Sequence, residues 1–150
     1  MVFNRRRTPN PPLLLIFKNI IIEQIGHNFE DKSFKFLGFL IDKKLKFNYH
    51  IEKVANKMWK GINGLNEAQH CLSMKTRKII YGAMVHSHLT YGTEIWYNHA
   101  NKKDINTLLL LQKRAIRTLL NVDRLSHTEP LFKQLQVLSL TNSNYYSNLP

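Results

Sequence analysis

Phe34-Lys35-Phe36-Leu37-Gly38-Phe39-Leu40-Ile41-Asp42 is the stretch whose reading decides how this chain folds. Its apolar residues occupy both alternating faces, the pattern of a strand packed on one side and covered on the other, so Phe34–Ile41 is predicted to be a strand. Gly38 interrupts it, and a glycine inside a strand marks a close approach of backbone to a neighbour or ligand. After Asp42 the apolar period lengthens. Ile51, Val54, Ala55, Met58, Trp59, Ile62 and Leu65 recur on one helical face, with Asn48 as a cap. Lys53, Lys57 and Lys60 share the opposite face at i, i+4 and i+7. Such a stripe is either a solvated surface or a rail for phosphates.

Downstream, a second helix is predicted from near Ser73 toward Trp96. Ile80, Ala83, Met84 and Tyr91 lie on one side of it and Tyr81, Val85, Leu89 and Trp96 on the other, the pattern of a central helix buried between neighbours. Gly92 ends or bends it. A third helix runs from about Asn101, its cap, to Leu120, with Asp104 in the first turn. Ile105, Leu108, Leu109, Ala115, Ile116 and Leu119 form its buried face; Lys103, Asn106, Lys113, Arg114 and Arg117 cluster opposite. Gln112 projects from the apolar side, so its amide needs partners if buried. Thr128 looks like the cap of a short fourth helix holding Leu131, Phe132 and Leu135, with Pro130 in the tolerant first turn.

Upstream, Leu13–Phe17 and Ile20–Ile25 read as short strands, and Gly26-His27-Asn28 as a turn. The division is an irregular lead-in over 1–12, a β element over 13–47, a helical domain over 48–140 and a polar tail over 141–150. The fold class is α+β, mostly α. At 150 residues, with 43% hydrophobic and 11% aromatic residues, the chain can bury a core. Its 22 Lys plus Arg against 10 Asp plus Glu leave a formal charge of +12, spread over every segment. A polyanion is the partner such a surface favours, because neutralising phosphates releases counterions. A basic surface with no dedicated partner is the plainer reading. Cys71 is the only cysteine, and no unbroken apolar run reaches the roughly 18 residues of a membrane span, so an intracellular, non-membrane chain is expected.

Motifs for catalysis are scarce. The sequence holds no glycine-rich phosphate loop and no nucleophile elbow. Asp31, Asp42, Asp104 and Asp123 are dispersed, with no two adjacent. His86 and His88, two apart on a helix, point roughly 200° from each other, which favours ordinary semi-buried histidines over metal ligands. Cys71 beside His70 reads as an inert loop pair. Tyr91, Trp96 and Tyr97 are either core aromatics at helical spacing or a base-stacking platform.

The ordered series Phe34-Lys35-Phe36-Leu37-Gly38, Ile41-Asp42, Leu45, His50-Ile51, Val54 and Lys57 resembles the segment after the catalytic core of reverse transcriptases from non-LTR (LINE-type, jockey- or RTE-like) retrotransposons. The likeness continues through Ile80-Tyr81, His88-Leu89-Thr90-Tyr91-Gly92, Ile95-Trp96, Leu111 to Arg117 and His127 to Phe132. The resemblance implies that Leu37 and Gly38 are primer-grip-like and that the helices form a thumb-like bundle, three main helices plus a short fourth. Lys53, Lys57, Lys60, Lys113, Arg114 and Arg117 would then contact the phosphates of a primer–template duplex. The family's Mg2+ ions are held by palm aspartates, including an adjacent pair that this chain lacks. No catalytic residue, metal ligand or cofactor is therefore expected here, and a fragment inactive by itself, with the missing palm and fingers as its structural partner. The alternative is a non-catalytic helical interaction module with an incidental basic surface.

Overall fold

The computed structural model describes residues 33–141 and, by backbone alone, two strands further upstream, Leu15–Phe17 (β1) and Ile20–Ile22 (β2). These two pair antiparallel, with Leu15 opposite Ile22 and Phe17 opposite Ile20. The lead-in, the turn at Gly26-His27-Asn28 and the tail beyond 141 lie outside the described residues.

The predicted single strand over Phe34–Ile41 is instead a hairpin. Phe34–Phe36 (β3) and Phe39–Ile41 (β4) pair antiparallel around Leu37 and Gly38, with Phe36 opposite Phe39. Both turn residues have positive φ, 45° and 88°. That is the type I′ geometry, whose twist matches the strands it joins. Glycine adopts it freely, whereas leucine is strained there by about 1–2 kcal/mol. Asp42 then organises the exit: its Oδ1 accepts from the amides of Lys44 (2.8 Å) and Lys46 (3.2 Å).

Helix α1 spans Asn48–Ala68. Asn48 does not cap it; Phe47, left-handed and buried, stands at the cap position, and the Asn48 side chain instead accepts from Asn101 at 3.0 Å. The second helical rod comprises Met74–Tyr81 (α2), a π-helical turn over Gly82–His86 and Ser87–Thr90 (α3). Ser73 caps it, accepting from the Thr76 amide. In the π turn the Ser87 amide reaches back to the Gly82 carbonyl. This rod is not buried all round: Tyr81, Val85 and Leu89 face the core while Ile79 and Met84 are exposed. It lies at the edge of the bundle rather than its centre.

The rod does not run on to Trp96 as expected but stops at Thr90, and of the two roles open to Gly92 it takes that of ending the helix. Tyr91 turns extended and Gly92 left-handed, after which Thr93–Trp96 (α4) and a 3-10 turn, Tyr97–His99, lead onward. The indole Nε1 of fully buried Trp96 donates back to the Tyr91 carbonyl at 3.1 Å, satisfying a group that the broken helix leaves open.

Lys102–Leu120 (α5) makes the largest helix–helix interface of the bundle, with α1. Asn101 occupies its cap position without capping; its amide donates to Asn48 and Asp104. Leu108, Leu111, Ala115, Ile116 and Leu119 are buried, whereas Ile105 and Leu109 are only partly so. Gln112, fully buried, finds the partners its position requires: Nε2 donates to the Leu138 carbonyl (3.0 Å) and Oε1 accepts from the Leu140 amide (2.8 Å). The last helix is Thr128–Leu135 (α6). His127, not Thr128, sits at its cap position, and Thr128 is buried in the first turn. The expected α+β, mostly α class holds: a short antiparallel sheet precedes three main helical rods and a short fourth.

Candidate nucleic-acid interface

The hairpin is fastened to the Tyr91–Gly92 corner. The Phe39 ring stacks on Tyr91 with centroids 5.0 Å apart and planes 12° apart. The Tyr91 hydroxyl donates to the Leu37 carbonyl at 2.8 Å. Gly92 makes this docking possible, since a Cβ there would lie 2.2 Å from Phe39 Cζ. The motifs Phe36-Leu37-Gly38-Phe39 and Tyr91-Gly92, far apart in the chain, are thus two sides of one joint. It leaves the Leu37 side chain 72% exposed at the tip.

Beside this joint, Gly38, His50, Lys53, Lys57, His88 and Tyr91 border a cavity of about 130 Å³. Lys53 and Lys57 also border a more open groove of about 470 Å³ running along α1 past Tyr49, Asn56 and Lys60, with Glu52 its one acidic lining residue. Gly38 and two of the α1 lysines, Lys53 and Lys57, predicted separately, therefore meet at one place, while Lys60 lines only the groove. Lys53 is half-buried there and Lys57 and Lys60 are exposed.

The electrostatics are cationic. His50 is only 3% exposed, and its pKa is pushed down to about 4, first by burial and then by the Lys53 and Lys57 ammonium groups. His88 is lowered by burial and by Lys57. Near neutral pH both rings are uncharged, and the positive potential comes from the lysines. His50 Nδ1 accepts from the Leu40 amide (3.4 Å), which places the ring proton on Nε2. His86 is held elsewhere, stacked 6.0 Å from Tyr81, so the two neighbouring histidines serve different surroundings. Burial raises the Tyr81 phenol to about 12, an effect that the nearby Gln112 offsets only in part.

The basic residues of α5 do not join this place as a cluster. Arg114 lies over the Trp59 ring, 4.3 Å from its centroid, and covers an aromatic that the sequence places in the core. Arg117 Nε donates to the Ser126 carbonyl at 3.0 Å, a tie to the loop before α6. Lys113 borders a cleft of about 530 Å³ between α5 and α6. One helical face carries them in the sequence, but the neighbours that pack against α5 give each a different task. Sequence reasoning missed His50 and the role of Tyr91. The period of α1 places His50 one residue before the buried Ile51, but the hairpin above it is not visible locally.

Asp42, Asp104 and Asp123 are each engaged within their own turns, Asp123 accepting from the Leu125 amide at 2.7 Å. Among the described residues no three His, Cys, Asp or Glu side chains gather as metal ligands. Nor is any described helix long and apolar enough to cross a membrane.

No protein-family model matches the chain, and no solved structure matches it. Two curated proteins of Drosophila melanogaster do. The RNA-directed DNA polymerase from mobile element jockey is 27% identical over 117 residues, 73% of this chain and 12% of that protein. The probable RNA-directed DNA polymerase from transposon BS is 26% identical over 88 residues, 57% of this chain and 10% of that protein. The chain thus spans about a tenth of the length of the relatives it matches, which are named as an RNA-directed DNA polymerase and a probable RNA-directed DNA polymerase of mobile elements.

Proposed function

We propose that this chain is the primer–template-holding, thumb-like part of an RNA-directed DNA polymerase, with the catalytic palm supplied by sequence outside it. The observation that carries this reading is the meeting of Gly38, at the hairpin tip, with Lys53 and Lys57 around one cavity, the same two lysines also lining the groove along α1. A groove lined by lysines on a rigid helix follows a phosphate backbone by charge and shape, without reading bases. Among the six basic residues named from the sequence, Lys53, Lys57 and Lys60 suit that role. Arg114 and Arg117 act chiefly as packing groups, and Lys113 faces a separate cleft. The Mg2+ ions of the polymerase reaction belong with the palm.

The purified chain is expected to bind an RNA–DNA primer–template duplex with an affinity that falls steeply with salt. The slope of log K against log salt should shrink by about one for each phosphate left without its lysine in Lys53→Gln, Lys57→Gln and Lys60→Gln. No binding at low salt, or binding indifferent to salt, refutes the reading. A protein-interaction role is favoured by a different observation, the exposed apolar tip formed by Phe36 and Leu37. In the polymerase reading that tip meets the remainder of the enzyme.

A further inference from the structure

Glu52 is out of place in a groove that follows phosphates. Among the described residues it is the one carboxylate lining that groove, whose other α1 walls are Tyr49, Asn56 and the three lysines. It is exposed, and no ion pair joins it to Lys53, Lys57 or Lys60. The helix also sorts these side chains. At about 100° per residue, Lys60, Lys53 and Lys57 fall on one flank of the stripe and Glu52 and Asn56 on the other, with Tyr49 between them. A carboxylate repels phosphates, so a groove concerned with phosphates alone would bind more tightly without it. An acceptor in such a place has a use only where the ligand offers a donor. The phosphate, ester and ring oxygens of a nucleic-acid backbone all accept. Its one donor is the ribose 2′-hydroxyl, the group that tells RNA from DNA.

We infer that the Glu52 flank of the groove takes an RNA strand, the carboxylate accepting from a ribose 2′-hydroxyl while the lysine flank holds phosphates. Glu52 is then the residue that selects an RNA–DNA hybrid over a DNA duplex. A hydroxyl donating to a carboxylate makes a charge-assisted bond, roughly twice as strong as a neutral one. A strand without the hydroxyl meets the same negative charge with nothing to offset it, so the selection works by attraction and by rejection together. Asn56, one helical turn further along this flank, presents an amide that both donates and accepts, suited to the same sugar edge. This inference rests on the primer–template reading and adds to it which strand lies where and the group by which that strand is known.

The test compares duplexes of one sequence by fluorescence anisotropy with the full chain at low salt: an RNA–DNA hybrid, a DNA duplex, and a hybrid whose RNA strand carries 2′-fluoro groups, which keep ribose-like geometry but cannot donate. The wild-type chain should favour the native hybrid about tenfold over its 2′-fluoro form, and no less over DNA. Glu52→Ala, an exposed change to a stronger helix former, should bind the native and 2′-fluoro hybrids equally and DNA more tightly than the wild type does. Glu52→Gln keeps an acceptor and should keep a preference for the native hybrid. Inosine in place of guanosine removes the amine that a base edge would offer, and should leave the preference unchanged. Equal binding of the native and 2′-fluoro hybrids by the wild type, a preference that survives Glu52→Ala, or one that inosine abolishes overturns the assignment and leaves the groove reading standing. Absence of duplex binding at low salt, or binding indifferent to salt, overturns both.

Discussion

Replacing Gly92 by alanine attacks the joint that holds the hairpin. Gly92 has φ +60°, so alanine there carries a backbone cost of about 1–2 kcal/mol before any contact is considered. Its Cβ would stand 2.2 Å from Phe39 Cζ and 2.5 Å from Cε1, well inside the separation at which carbons attract. The Phe39 ring is held between Tyr91 and His50 and cannot swing aside freely. Relief requires the ring to leave, forfeiting a large part of the about 3–5 kcal/mol that a buried phenylalanine contributes. Adding about 1–2 for the backbone and about 2–3 for the ring, Gly92→Ala should destabilise the chain by about 3–5 kcal/mol. Urea unfolding with linear extrapolation measures this. The decisive comparison is the same substitution in a Phe39→Leu background, which lacks Cε1 and Cζ. There only the backbone cost of about 1–2 kcal/mol should remain, giving a coupling of about 2–3 kcal/mol. An equal cost in both backgrounds would refute the joint. Gly64→Ala is the control: apart from its own helix backbone and chain neighbours, nothing lies within 4 Å of its Cβ position, so helix propensity alone should stabilise by about 0.5–1 kcal/mol.

Gly61→Ala should destabilise by about 1–3 kcal/mol in the same assay, because its Cβ would meet the Met84 carbonyl oxygen and Val85 Cγ2, both at 2.9 Å, where α1 crosses the π turn. A stabilised variant would show that the helices cross more loosely than those distances require. Acid should weaken the fold through His50: the unfolded chain takes up its proton near the ordinary value of 6.5 and the folded one only near about 4. Stability is therefore full above pH 6.5 and declines as pH falls toward 4, by about 3 kcal/mol from this group. His50→Gln should flatten that slope in urea melts taken at several pH values, and an unchanged slope would contradict it. Leu37→Asn should stabilise by about 1 kcal/mol, since Asn-Gly suits a type I′ turn, and the expected gain is read from thermal melts. A loss of stability would mean that the exposed leucine packs on something within the described fold.

Helices were legible because each carries an apolar stripe of its own, and Met58, Ile62 and Leu65 or Ala115, Ile116 and Leu119 need no distant partner to be recognised. The hairpin was not. A two-residue turn usually advertises itself with Asn-Gly or Asp-Gly, and Leu37 in the first position reads as more strand. What lets leucine stand there includes the Tyr91 hydroxyl, 54 residues away, bonded to its carbonyl. For the candidate site, Lys53, Lys57 and Gly38 could be nominated one by one, but their meeting depends on how β4 lies on α1. The separate surroundings of Lys113, Arg114 and Arg117 were hidden for a related reason. A helical wheel gives the direction of a side chain and says nothing of the indole or carbonyl that waits there.

The π turn at Gly82–His86 makes the second rod sensitive to a kind of change that leaves every wall residue in place. It accommodates one residue more than an α-helical turn would, and each added residue rotates the helix beyond it by about 100°. Deleting Ala83 would let the rod continue as plain α-helix, with no side chain of the joint removed. Tyr91 and His88 would then be turned about a quarter of the way round, away from the hairpin and the cavity. Reading-frame-preserving deletions of one residue in this rod should thus abolish the Tyr91–Phe39 ring stacking, observable as the disappearance of its NOE, whereas one-residue changes in the exposed loop 121–125 should leave it intact. For a sequence free to gain and lose codons, the phase of one helix is as strict a requirement as the identity of any residue on it.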